Sequence, residues 1–139
     1  MTSIDALFSA ARAAQARAHT PYSRFPVGAA LRDEAGRIHA GCNVENAAYP
    51  QGACAETGAI SAMVLAGGRR IAEMLVVGEG EALVTPCGGC RQRIREFASP
   101  DTPVHVAGPE GVRRTLRLDE LLPFSFGPDN LGATTRGAA

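Results

Sequence analysis

The sequence predicts an α/β layered sandwich built on a mixed sheet. Two patterns carry that prediction: after an opening hairpin, short apolar strand-like runs alternate with segments of helical periodicity, and compact glycine turns separate them. Composition is the third observation. Hydrophobic residues make up 45% of the 139, enough for a core without disulfide staples, and the length fits one domain over 1–139.

The elements follow in order. Ser3 can cap a first helix whose Ile4, Leu7, Phe8 and Ala11 share one face, and that helix is expected to run to about Ala18, ahead of Pro21. Val27 to Leu31 reads as a strand, turned by Asp33-Glu34-Ala35-Gly36, with Ile38 to Val44 as its return. Gly52 precedes a second helix, Cys54 to about Ala66, whose Ala59, Ile60, Met63 and Val64 form an apolar face and which Gly67-Gly68 ends. Met74 to Val77 suits a buried strand. Thr85 and Pro86 then read as the cap and first residue of a third helix, with Ile94 and Phe97 facing the core. Val104 to Ala107 is a strand, turned at 108–111 toward another at Arg114 to Leu118, and Asp119 is positioned to cap a short turn around Leu121-Leu122. The small, polar residues 132–139 read as a flexible tail.

Charge narrows the partners. Fourteen basic and fourteen acidic side chains give a formal net charge of zero, all the basic ones being arginine. A chain bound mainly to nucleic acid would show a basic excess, because phosphate contacts supply most of that affinity. Arg69-Arg70 and Arg113-Arg114 read as solvated pairs flanking strands. No run approaches the roughly 18 apolar residues of a membrane helix, and no basic-then-apolar leader opens the chain. A cytoplasmic location is the expectation, and there four cysteines are better read as metal ligands or chemical groups than as two disulfides.

The informative residues are Cys54-Ala55-Glu56 and Pro86-Cys87-Gly88-Gly89-Cys90. Two cysteines three apart in one turn bring their sulfurs to one point, as a tetrahedral ion requires. By itself such a pair is also compatible with a redox motif. A third cysteine opens the other predicted helix. Helix starts offer unpaired N–H groups and a dipole that favour thiolates. Three protein ligands leave a fourth position for water, the catalytic rather than the closed structural pattern of zinc. Glu56 can face the same cavity from the first helical turn, where a carboxylate can take a proton from water and return it to a substrate nitrogen.

These segments resemble the homotetrameric cytidine deaminases over about Ala18 to Leu131. The pattern of cysteine ligands beside a glutamate that is not a ligand is the general one of zinc deaminases. Further matches are Pro21-Tyr22-Ser23-Arg24-Phe25-Pro26-Val27-Gly28-Ala29-Ala30, Gly41-Cys42-Asn43-Val44-Glu45-Asn46-Ala47-Ala48-Tyr49-Pro50, Glu120-Leu121-Leu122-Pro123 and Phe126-Gly127-Pro128. The resemblance implies a three-layer α/β/α sandwich, one Zn2+ per subunit on Cys54, Cys87 and Cys90, and Glu56 as the proton carrier. It implies hydrolysis of cytidine and 2′-deoxycytidine to the uracil nucleosides with release of ammonia, as in pyrimidine salvage. Asn43 and Glu45 would bind the sugar hydroxyls, Phe25 would pack on the base, and the Ala55 amide with Glu56 would hold the pyrimidine edge. Phe126 would reach a neighbouring subunit's site.

Three thiolates outweigh one zinc dication. Many members of the family carry arginine directly after the glutamate, where this chain has Thr57, so Arg91 is expected to carry more of the charge compensation. The three histidines share no spacing with the cysteines, and Cys42 reads as a buried structural thiol. Three alternatives stand beside this reading. A structural zinc module would need a fourth ligand, most plausibly Cys42 or a histidine. A polynucleotide deaminase would need a charged groove. A blasticidin-type deaminase would share the cysteines and the glutamate, but the intact Asn43-Val44-Glu45-Asn46-Ala47 block favours an ordinary nucleoside.

Overall fold

The computed structural model describes residues 3–132. Its centre is a five-stranded mixed sheet in the order β2-β1-β3-β4-β5. The strands are β1 (Gly28–Asp33), β2 (Ile38–Cys42), β3 (Ile71–Val77), β4 (Pro103–Gly108) and β5 (Gly111–Arg117). Only β3 and β4 pair in parallel, and the crossover between them carries helix α3 (Gly88–Phe97). The other pairs, β1 with β2, β1 with β3 and β4 with β5, are antiparallel.

The strands alternate their side chains between two cores, as a two-residue period requires. On one face Ala30, Leu75, Val77 and Ala107 meet Leu7 and Ala11 of α1 (Ser3–Gln15). On the other, Leu31, Met74, Val76 and Val104 meet Met63 of α2 (Ala55–Leu65), Ile94 of α3 and Leu118 of α4 (Leu118–Leu121). One helix above and three below make the three-layer α/β/α sandwich that was expected.

Glycine sets how closely the layers approach. A side chain at Gly28 would overlap the Ala11 carbonyl of α1, and one at Gly41 would overlap the Ala59 nitrogen of α2. Helices α1 and α2 therefore each have a strand position where backbone meets backbone.

Several element ends differ from expectation. The first helix stops at Gln15 rather than Ala18, because the chain tightens there: the Arg17 amide bonds the Ala14 carbonyl and the Ala18 amide that of Gln15. Strand β2 stops at Cys42, and Val44 makes only isolated bridges with His19 and Ala53. Helix α3 starts after Cys87, not at Pro86, since the first full-turn bond runs from the Arg91 amide to the Cys87 carbonyl at 2.9 Å. Asp119 lies inside α4, and it is Glu120 that accepts the Arg117 amide at its start. The tail read as flexible lies, from residue 133 onward, outside the described residues.

The segment after α4 is tied to α3. Arg95, itself buried, donates to Ser125 Oγ at 2.9 Å and to Asp129 Oδ1 at 2.7 Å, while Gln92 donates to the Phe126 carbonyl at 2.8 Å. Gly127 lies so close to the Arg95 guanidinium that a side chain there would overlap it. No helix among the described residues is long and apolar enough to cross a membrane.

Candidate metal centre and substrate cleft

The centre is built from two helix starts on the same face of the sheet. Cys54 is the residue just before α2 and Cys87 the residue just before α3, both in extended conformation. A serine or aspartate there would bond its own helix's first amides. Neither cysteine makes a full capping bond of that kind, and their sulfurs instead approach each other. Cys90 follows in the first turn of α3. The three Sγ atoms lie within 4.8 Å of one another, and those of Cys54 and Cys87 are 3.8 Å apart. Zinc–sulfur bonds of about 2.3 Å in a tetrahedron place sulfurs roughly 3.8 Å apart. The donor set therefore fits zinc in number, element and spacing. Cys42 is half-buried and outside this group, and no histidine joins it among the described residues. The group thus has the three members of an open site.

Electrostatics sharpen the picture. Burial pushes the Glu56 carboxyl above the ordinary glutamate range, against the pull of hydrogen bonds and of the Arg93 charge. Burial also raises the thiol of Cys54, with the neighbouring Cys87 charge adding to it. Cys90 is raised by burial and then by Glu56 and Cys54. Cys87 moves the other way: burial opposes ionisation, but hydrogen bonds from the Cys90 amide and the neighbouring thiols overcome it. Four acidic groups crowded together resist ionising jointly, and a divalent cation is what stabilises such a set.

Glu56 is only 4% exposed and lines a cleft of 130 Å³ with Asn43, Cys54, Ala55, Thr85 and Cys87. The carboxylate and two of the three sulfurs thus face one small space beside the carboxyl end of β3, where open α/β sheets place ligands. A larger hollow of 390 Å³ lies along Tyr22, Ser23, Glu45 and Tyr49. The edge-to-face pair of Tyr22 and Tyr49, centroids 5.8 Å apart, forms one wall of it.

Asn43 and Glu45 face the same neighbour, the segment from Tyr22 to Val27. Asn43 accepts the Val27 amide at 2.9 Å and donates to the Phe25 carbonyl at 3.0 Å. Glu45 accepts the amides of Tyr22 and Ser23 and the Ser23 hydroxyl. The pair therefore fixes the loop that carries Phe25. Phe25 and Phe126 are 40% and 58% exposed, and neither lines the cleft of its own chain.

The arginine expected to compensate the sulfurs, Arg91, is engaged elsewhere. Arg91 donates to the Pro86 and Leu121 carbonyls at 2.7 and 2.8 Å and to Thr85 Oγ1 at 3.0 Å. It braces the loop before α3 and none of its hydrogen bonds goes to a sulfur. Thr57 Oγ1 is buried without a partner. The side chain that reaches a sulfur is Arg93, with Nη1 3.8 Å from Cys90 Sγ. Sequence reasoning missed it, although the signal was available: residues three apart on a helix are neighbours. His105 is buried between Thr115 and Glu73, and His39 is bonded to Asp33, so both serve packing.

Comparison with known proteins agrees with this geometry. A family model described as the cytidine and deoxycytidylate deaminase zinc-binding region matches residues 1–106. The chain is 40% identical over 128 residues to the cytidine deaminase of Sporosarcina psychrophila, covering 92% of this chain and 94% of that one. It is 40% identical over 119 residues to the cytidine deaminase of Mycobacterium tuberculosis, covering 85% of each. Among solved structures it matches the cytidine deaminase of Burkholderia pseudomallei with a TM-score of 0.84 at 42% identity, over 91% of this chain and 100% of that one.

Proposed function

Because this chain belongs to the cytidine and deoxycytidylate deaminase family, we propose that it hydrolyses the C4 amino group of cytidine and 2′-deoxycytidine, giving uridine, 2′-deoxyuridine and ammonia. The observation that carries the reading is the buried Glu56 carboxylate in one cleft with Cys54 and Cys87, whose sulfurs group with that of Cys90. Zinc is the cofactor, with Cys54, Cys87 and Cys90 as its ligands, and it supplies the polarisation that makes water a nucleophile near neutral pH.

The chain's own groups do the rest. Glu56 accepts a proton from the attacking water and delivers it to N3 of the base. It then takes the proton of the new C4 hydroxyl and passes it to the amino nitrogen, which departs as ammonia while C4 becomes a carbonyl. Its burial favours the protonated carboxyl, which suits it to return the proton as readily as it takes it. The Ala55 amide, at the start of α2, holds the pyrimidine edge. Asn43 and Glu45 bind the sugar hydroxyls while keeping the Tyr22–Val27 segment in place. Phe25 packs on the base.

The assembly we propose is a homotetramer in which Phe126 of one subunit completes a neighbour's cleft. Phe124, Phe126 and Leu131 stand exposed near the end of the described chain, and Leu65 is 91% exposed, a distribution that a subunit interface accounts for. Acting on free nucleosides, the enzyme serves pyrimidine salvage in the cytoplasm.

The deciding assay follows the ultraviolet absorbance change from cytidine to uridine. Glu56→Gln is expected to lower kcat by about 10²–10⁴-fold with zinc content unchanged. A variant that keeps both zinc and turnover would remove Glu56 from the mechanism, and a zinc-loaded parent inert on both nucleosides would overturn the substrate.

A further inference from the structure

Three thiolates and one dication leave a site carrying one excess negative charge, and ionised Glu56 adds a second in the same cleft. The starts of α2 and α3 offset part of this with their amide dipoles. The remaining question is which full positive charge lies against the sulfurs.

Helix α3 carries three arginines at alternate positions. Arg91 and Arg95, one turn apart, share a side and are held by other groups: the Pro86 and Leu121 carbonyls for the first, Ser125 and Asp129 for the second. Arg93 points the other way. Its Nη1 lies 3.8 Å from Cys90 Sγ, and it stands one helical turn beyond that cysteine. Gly89 makes room for it, since a side chain there would come within 3.1 Å of the same nitrogen. Across the gap on α2, Thr57 lines the same hollow as Arg93 and brings no charge, its buried hydroxyl lacking a partner. Arg93 is an exposed residue, and its guanidinium lies at the mouth of the hollow between the two ligand-bearing helices, within reach of the Cys90 sulfur.

We propose that Arg93 is the cation that draws charge from the zinc-bound sulfurs of this chain, acting through Cys90 as a positioning residue without touching the substrate. The inference rests on the reading of Cys54, Cys87 and Cys90 as the metal ligands. Weakening the sulfurs as donors leaves the metal more electron-poor, so a water on its open side is more readily activated. Without Arg93 the sulfurs donate more strongly and the metal activates water less.

The test replaces zinc with cobalt(II), whose sulfur-to-metal charge-transfer band reports the donor strength of the thiolates directly. Arg93→Ala and the bulkier Arg93→Gln are expected to hold one cobalt per chain with the band moved to lower energy, and Arg93→Lys to restore most of the parent position. In the zinc enzymes, kcat is expected to fall about 10–100-fold in Arg93→Ala, with KM within about twofold and the acid limb of the kcat profile moved to higher pH. Arg114→Ala, which removes one exposed positive charge from β5, controls for net charge. A band unmoved in Arg93→Ala and Arg93→Gln, or a kcat that falls equally in Arg114→Ala, overturns the proposal while leaving the metal site intact. A parent that binds no stoichiometric metal overturns the site reading and this inference with it.

Discussion

Asp33 ends β1 with a fully buried carboxylate that organises the turn beyond it. Burial alone would raise its pKa, but His39 at 2.8 Å, the Ala35 and Arg37 amides and the Arg37 guanidinium outweigh that and hold it at about 2. A depressed carboxyl pKa stabilises the fold above the unfolded value of about 3.9. That contribution is lost as pH falls through the folded value. A drop to about 2 corresponds to roughly 2 kcal/mol. Urea unfolding from pH 5 to pH 2 is therefore expected to lose about that much stability through Asp33. Asp33→Asn is expected to be less stable at pH 7 by a similar amount and to show a smaller acid step. An unchanged acid step in the variant would assign the loss to other carboxylates.

At the scale of elements, the chemistry depends on where α2 and α3 begin. Gly41 lets the backbone of α2 press on β2, and Cys54 and Glu56 ride on that helix. Gly41→Ala is expected to cost about 2–3 kcal/mol by overpacking and to raise the zinc lost to a chelator, because displacing α2 moves one ligand relative to the other two. A variant with parental thermal stability and zinc retention would show that the contact yields easily. The helices, the hairpin and the cysteine cluster were legible in the sequence because apolar periodicity and ligand spacing are local. The true start of α3 was not. A threonine followed by proline imitates a cap and first residue, whereas cysteine in the cap position makes no side-chain capping bond and leaves no familiar mark. Arg91 was misjudged for a related reason: adjacency to Cys90 in sequence turns a helical side chain about 100° away, while the residue three further on comes back alongside. The use of Asn43 and Glu45 to pin the Tyr22–Val27 segment depends on a loop closing over them, which no periodicity encodes.

For the whole molecule, the described chain leaves Phe126 outside its own cleft and tied to α3 through Gln92, with Arg95 gripping the residues on either side. Under the proposed assembly, sedimentation is expected to give four times the 14.4 kDa chain mass. Phe126→Ala subunits would lack the ring they lend, and Glu56→Gln subunits the proton carrier. Co-assembling the two inactive variants is therefore expected to recover activity, since an intact Glu56 cleft can receive an intact Phe126. Absence of any recovery in mixed tetramers would confine each site to one chain.

The two halves of the cysteine cluster differ in how they come together during synthesis. Cys87 and Cys90 meet within a single helical turn, but Cys54 lies 33 positions before Cys87 and arrives only when α2 has docked beside α3. Closing a loop of that length costs the unfolded chain about 3 kcal/mol. An ion caught by the local pair is thus a waiting anchor, and gripping it with Cys54 locks the first half of the chain to the second. Chain refolded without zinc is consequently expected to be cut by protease faster than chain refolded with it, and equal cutting would show that the two halves lock together without the ion.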